Sequence, residues 1–425
     1  MALDEMAVFL IRQGFPALKQ TIEGKPIVFF DSPGGSQVHN SVIDAMQRYL
    51  VTSNSNAHGA FSASMRTDEM THKARENFAD FLNADRPEEI IFGPNMTTLT
   101  FRISQAIGQT LKPGDEVIVT RLDHDANVSP WLALRNIGAV VRFVDFDPTD
   151  CTLSMQDVEK FLNQRTKIVA VAYASNSVGT INDVKTITRM AHEVGALVYI
   201  DAVHFAPHGP IDVTELGCDF LVCSAYKFFG PHIGVLYGRH DLLEALPALK
   251  VVPAGNEPPD KFETGTNNFE GICGASAAIE YLSSLGAQFG SEYKPQFNTL
   301  SSHRQDLKAA MIAIRSYENQ LCRKLLSGLS QIPGIRVYGI CGPENLDHRV
   351  PTVSFTLEGI GPRDIALKLN KENIFVWDGH FYAVAAIEQL GLLDKGGLVR
   401  VGLCHYNTQQ EVQFLLESLW EIGNG

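Results

Sequence analysis

The sequence predicts an α/β protein in two parts: a large domain on a mainly parallel seven-stranded sheet, then a small C-terminal α+β domain. Three observations predict it. Between residues 88 and 237 short β-branched apolar runs alternate with amphipathic stretches, the pattern of βαβ units. Several of those runs are apolar throughout, as strands covered by helices on both faces must be. A stretch rich in Pro and Gly at 247–260 then leaves the layered core, and a long helical pattern leads into a differently organised final third. With 425 residues, 45% of them hydrophobic, the chain holds enough apolar material for one large core and one smaller one.

The strand candidates run 89–92, 116–120, 139–143, 167–172, 196–200, 220–223 and 234–237. Among them, 183–193 repeats apolar residues at helical spacing and stops at Gly195, where a C-terminal cap belongs. Helical spacing also carries 302–331, which Pro333-Gly334 ends. Strand-like 336–338, 352–356 and 399–403, with helical 362–370 between, make the small domain. The expected division is an N-terminal segment of residues 1–25 packed with the small domain, a large domain of 26–298 and a small domain of 299–425.

A net charge of −13 and the lack of any basic stripe argue against a nucleic-acid partner, which clustered Lys and Arg would be needed to hold. Seven scattered cysteines (151, 218, 223, 273, 322, 341 and 404) include no Cys-x-x-Cys pair, so neither a metal site nor a redox dithiol is expected, and a reducing cytoplasm fits. The leading segment is acidic rather than basic and no later apolar run is long enough to span a bilayer, so neither export nor a membrane is expected. Asn95-Met96-Thr97 matches a glycosylation sequon and, without a secretory signal, is read as chance. Phosphate-loop and dinucleotide glycine fingerprints are absent, His192-Glu193 lacks the second histidine of a zincin helix, and the acidic stretch 145–150 reads as a solvated turn.

In open α/β sheets ligands gather at the carboxyl ends of strands, so the polar residues just after each apolar run carry the chemistry. Lys227 follows Phe-Leu-Val-Cys-Ser-Ala-Tyr and precedes Phe-Phe-Gly, and desolvation there lowers an ammonium pKa and frees an amine able to attack an aldehyde. The plain alternative is a lysine snorkelling into solvent. Asp201 closes Ala-Leu-Val-Tyr-Ile and, once buried, needs a cationic or donating partner; a pyridinium nitrogen is one, backbone amides are another. His124 and His204 stand where a ring can stack on or donate to a flat ligand, or serve as ordinary satisfied histidines. Met96-Thr97-Thr98 at a helix start offers either an anion cup, with Ser224 beside it, or simple capping.

Further segments join these in a fixed order: Phe30-Asp31-Ser32-Pro33-Gly34-Gly35; Asp123-His124-Asp125-Ala126-Asn127 with Pro130-Trp131; and Ser175-Asn176-Ser177-Val178-Gly179-Thr180. Then come Asp201-Ala202-Val203-His204, Ser224-Ala225-Tyr226-Lys227 with Gly230-Pro231, Phe262-Glu263-Thr264-Gly265-Thr266, and Arg400 before Tyr406-Asn407-Thr408. Over nearly the whole chain this resembles the fold-type I pyridoxal-phosphate enzymes, specifically the class V aminotransferase group that contains the cysteine desulfurases and selenocysteine lyases. The resemblance implies pyridoxal 5'-phosphate held as a Schiff base on Lys227, which later moves a proton, and Asp201 keeping the pyridine nitrogen protonated. It implies His124 stacked on the ring, His204 near the ring hydroxyl, and Met96, Thr97, Ser224 and Tyr226 around the phosphate. Thr266 would reach the phosphate of a neighbouring subunit, which implies a homodimer. Arg400 with Asn176 would clamp the α-carboxylate of a small amino-acid substrate.

One departure bears on function. Where desulfurases carry a nucleophilic cysteine, this chain reads Trp377-Asp378-Gly379-His380-Phe381-Tyr382-Ala383, with Tyr382 in the cysteine's place. Tyr226 likewise stands for the usual histidine before the lysine. Cys404 is the one substitute thiol to weigh, against its reading as a small strand residue. The expected activity is therefore C–S or C–Se lyase chemistry of the desulfurase type. The alternatives are transamination, epimerisation, decarboxylative C–C bond formation, and a non-catalytic protein of the same fold. His58, Phe61, Phe269 and the Tyr382 loop are expected to shape the substrate pocket.

Overall fold

The computed structural model describes residues 3–342 and 344–424. Its larger sheet contains β1 (Ile90–Gly93), β2 (Glu116–Thr120), β3 (Val140–Val144), β4 (Thr166–Ala172), β5 (Leu197–Asp201), β6 (Phe220–Ser224) and β7 (Gly234–Gly238), each within one residue of its expected start and end. The strand order is β1-β7-β6-β5-β4-β2-β3, parallel except for β7, which opposes both neighbours. Period-two geometry divides the apolar runs between two layers. Val169, Val171, Val198 and Ile200 enter one core, while Ile168, Ala170 and Tyr199 enter the core on the opposite face. Both faces are dry, which is why these strands read as unbroken apolar runs.

The smaller sheet contains β8 (Ile335–Tyr338), β9 (Thr352–Leu357), β10 (Trp377–Gly379) and β11 (Leu398–Gly402), antiparallel throughout in the order β8-β9-β11-β10. β10 is not anticipated by the sequence, because three residues that include Asp378 and Gly379 show no alternation. The helix Ser302–Leu329 joins the regions: Tyr317 and Leu321 lie in the same core as Val169 of β4, Val353 of β9 and Val401 of β11. Residues near the N-terminus dock on the C-terminal third, with Val8 and Ile11 in that core and an Arg12–Glu411 ion pair at 2.7 Å.

The helix Val184–Glu193 is capped by Asp183 and stops before Gly195, whose φ of +79° is the left-handed geometry expected there. The sequence reading does not assign the helices Asn40–Thr52, Ser62–Leu82, Phe269–Phe289 and Gln409–Asn424. Phe269–Phe289 shows why: it is rich in Gly, Ala and Ser and buried on most sides, so it carries no apolar stripe to detect. Among the described residues, no helix is long and apolar enough to cross a membrane.

Candidate active site

The carboxyl ends of β4, β5 and β6 face β10 and β11 across a cavity of about 700 Å³. Its floor is set by Lys227, at the end of a short turn, Ala225–Lys227, that follows β6. The Lys227 ammonium donates to the Pro33 carbonyl and lies over the Tyr226 ring at 4.7 Å from its centroid. Burial, reinforced by the Arg400 charge and opposed by Asp201 and Asp31, lowers its pKa to about 7. Tyr226 is itself fixed by stacking on His232 at 4.9 Å.

Asp201 is the last residue of β5, and its carboxylate accepts a 2.9 Å hydrogen bond from the Val203 amide. Burial pushes its pKa up to about 6, against the pull of Lys227. An aspartate so placed has one neutralising amide and a lysine nearby, and the cavity on its open side.

The segment after β2 is built by a buried network. Thr120 donates to Asp123, Asn127 Nδ2 donates to Asp123 at 2.6 Å, and Trp131 Nε1 donates to the Asn127 side-chain oxygen at 3.2 Å. These bonds explain the spacing of Asp123, Asn127 and Trp131, and they present His124 to the cavity. The Ala126 amide donates to His124 Nδ1 at 3.0 Å, which leaves the ring proton on Nε2. Burial first, then Lys227 and Arg400, hold the His124 pKa down at about 4, so the ring is neutral. His204 is also neutral, driven well below its ordinary value by burial, and its Nε2 meets the Thr352 hydroxyl of β9 at 2.9 Å. Behind it His208 packs edge-on at 5.7 Å and pairs with the buried Glu318 of the long helix at 2.8 Å.

The helix Met96–Gly108 begins at the cavity edge with its first-turn amides free of intrahelical partners. The Met96 amide donates to Ser224 Oγ at 3.2 Å, and Asn95 caps the helix by accepting from the Thr98 amide at 2.8 Å. Thr97 lines the cavity beside them. Asn95 of the chance sequon is thus spent on a cap.

On the opposite wall Arg400 of β11 donates to the Asn176 carbonyl at 2.8 Å, and its guanidinium lies 4.2 Å from the Phe381 ring centroid. Burial lowers its pKa to about 9, with Asp31 opposing. Arg400 Nε, Asn176 Oδ1 and Asp31 Oδ1 are all buried without a hydrogen-bond partner. Such groups cost free energy unless something fills the space between them.

Of the expected site residues, Met96, Thr97, His124, Asn176, Asp201, His204, Ser224, Tyr226, Lys227 and Arg400 line one cavity. Thr266 is exposed and outside it. Its loop is anchored through Glu263, which takes a two-pronged contact of 2.8 Å from Arg75 and a 2.7 Å bond from the Phe92 amide. His58, Phe61 and Phe269 do not line this chain's own cavity: His58 and Phe61 are exposed, and Phe269 is buried at the start of its helix. Tyr382 does line it. Cys404 is fully buried, with its thiol pKa pushed well up, and none of the seven cysteines reaches the cavity.

Sequence reading gave no role to Asp31, whose carboxyl is raised to about 6 by burial beside Arg400 and Lys227, although an acid closing the apolar run 27–30 was a visible signal. It also missed Trp377. No local pattern announces it: its place is set by Gly34, where a Cβ would stand 2.1 Å from the Trp377 indole nitrogen.

The class V aminotransferase family model matches residues 28–304 and 305–415. A probable cysteine desulfurase of Synechocystis sp. is 33% identical over 424 residues, covering 96% of this chain and 94% of that protein. An aminotransferase-like protein, FGM3, of Gibberella zeae is 32% identical over 430 residues, covering 99% of each. Three other curated relatives are longer, and the chain spans 59% to 66% of their length. Among solved structures, a cysteine desulfurase from Thermococcus onnurineus NA1 superposes with a TM-score of 0.85 at 27% identity, covering 98% of both chains. With Lys227, Asp201 and Arg400 gathered around one cavity, these likenesses have a single meaning: the chain belongs to the class V aminotransferase family and is a pyridoxal-phosphate-dependent enzyme.

Proposed function

We propose that the chain is an amino-acid C–S or C–Se lyase of the cysteine desulfurase type that works without a protein persulfide. The observation that carries this reading is a cavity holding Lys227, Asp201 and Arg400 but none of the seven cysteines, with Tyr382 where the desulfurase thiol belongs.

The residues fit the cofactor. The Asp201 carboxylate suits a protonated ring nitrogen, the first turn at Met96 and Thr97 with Ser224 and Tyr226 suits a phosphate, and Lys227 has the lowered pKa of a carbonyl-trapping amine. His124 would lie on the ring face and His204 beside its hydroxyl. When bound, pyridoxal phosphate supplies an electron sink that stabilises negative charge at the substrate Cα. Arg400, whose Nε is an orphaned donor, and Asn176, through the Nδ2 hydrogen not given to the Phe381 carbonyl, bind and orient the α-carboxylate. Lys227, neutral over much of its population near pH 7, takes the Cα proton. The departing sulfur then leaves as a free thiol or sulfide.

A second reading, transamination, needs only that Lys227 return the proton to a different carbon, and the likeness to the Gibberella zeae aminotransferase-like protein favours it. An amino-acid panel assayed for pyruvate, sulfide and keto-acid release separates the two. A holoenzyme whose spectrum does not change with any amino acid contradicts both.

The exposed Thr266, held on an anchored loop, suits the phosphate of a second copy, and seven unpaired cysteines suit a reducing compartment. The reading is therefore of a cytoplasmic homodimer with a large domain of 26–298 and a small domain of 299–425. Sedimentation of the holoenzyme at twice the chain mass is the expected result.

A further inference from the structure

The turn at 380–382 is fastened at every residue. Asn176 Nδ2 donates to the Phe381 carbonyl at 2.8 Å, the Asp125 amide donates to the Tyr382 carbonyl at 2.7 Å, and the Tyr382 amide donates to His380 Nδ1 at 3.1 Å. Phe381 and Tyr382 both sit in the left-handed region, at φ of +53° and +58°. For side-chain-bearing residues that geometry is unfavourable, and it persists where the surroundings over-determine it, most often at functional sites. The result holds the Tyr382 ring nearly parallel to His124, 5.4 Å between centroids, while two thirds of the residue (67%) stays exposed.

Around the same cavity stand Phe101, Phe381 and Trp377, and Phe101, Trp377 and Tyr382 are each more than a third exposed. Exposed aromatics converging on one concave site mark a binding surface for an apolar or aromatic group. With the carboxylate on Arg400 and Asn176, the cavity of about 700 Å³ holds cofactor and substrate together, and Phe101, Trp377 and Tyr382 line it beside them.

We infer that Tyr382 is a specificity residue selecting amino acids with a bulky apolar or aromatic group beyond Cβ, namely cysteine conjugates whose sulfur carries an aromatic or large alkyl group rather than cysteine or its S-methyl form. The inference rests on the lyase reading above and names its substrate class. The reaction balances without a redox partner or a protein thiol. Lys227 takes the Cα proton, the Cβ–S bond breaks with its electron pair on sulfur, and the sulfur is protonated and leaves as a thiol. Water hydrolyses the remaining three-carbon fragment to pyruvate and ammonia.

The test uses the holoenzyme and the α-methyl forms of S-benzylcysteine and S-methylcysteine, which lack the Cα hydrogen and bind without reacting. Calorimetry is expected to give a benzyl preference of roughly tenfold, since one aromatic contact and its burial are worth that much. Tyr382→Phe should keep the preference and Tyr382→Ala should reduce it to within about twofold, with the KM ratio of the reactive pair following the same pattern. Equal binding of the two ligands by the unsubstituted enzyme, or a preference that survives in Tyr382→Ala, overturns the assignment. Failure of the lyase reading looks different: the binding preference holds, but S-benzylcysteine yields its intact keto acid in place of pyruvate and thiol.

Discussion

At the inner wall of the cavity the chemistry-bearing side chains stand at the ends of regular elements, Asp201 on β5, Lys227 just past β6 and Arg400 within β11. At the rim they stand on a three-residue turn whose backbone is left-handed at two positions. The inner wall is held by sheet registers that the whole core specifies, so its charges keep fixed separations and shift one another's pKa values. The rim is held by a few hydrogen bonds, from Asn176 and Asp125 and to His380 Nδ1, so its side chains can differ without disturbing the fold. On the proposed reading, labilising a bond at Cα belongs to the wall, and the choice of departing group belongs to the rim.

Breaking the wall has the largest effect. Lys227→Ala removes the proposed proton-moving group and should lower amino-acid turnover about 10³-fold, as read by pyruvate formation in stopped assays. Arg400→Lys keeps the charge but loses the planar fork, and should raise KM for an amino acid roughly 30-fold, the measure of about 2 kcal/mol, with a smaller change in kcat.

The pH dependence sharpens the same contrast. The lysine pKa is lowered from 10.5 to about 7, so its neutral form predominates above 7 and falls towards tenfold per pH unit below it. Asp201 and Asp31, raised to about 6, remain mostly ionised across most of that window. The rate at which cofactor-free protein captures pyridoxal phosphate should therefore climb with pH and level off above 7, followed by absorbance. The smallest effect tests the rim by exclusion. Cys404→Ala deletes a buried thiol outside the cavity, so turnover should be unchanged and stability lower by only about 1 kcal/mol in urea unfolding.

The sequence reading and the structure agree where the signal is periodic. β4 and β5 are apolar on both faces and were readable within a residue, and the polar residues that follow them are the ones that meet at the cavity. Agreement fails where burial erases the pattern, as in Phe269–Phe289, or where an element is too short to have one, as in β10. Trp377 comes to the site through packing against Gly34, which no local window records, and Asp31, although it closes an apolar run, meets Arg400 only through long-range packing. The His208–Glu318 pair behind His204 is of the same kind, joining residues 110 positions apart.

The most direct test of the account is borohydride treatment of the holoenzyme followed by peptide mapping. The account predicts one phosphopyridoxyl group per chain, on the peptide carrying Lys227, with none on a Lys227→Ala chain. A different modified lysine, or no adduct at all, would contradict it.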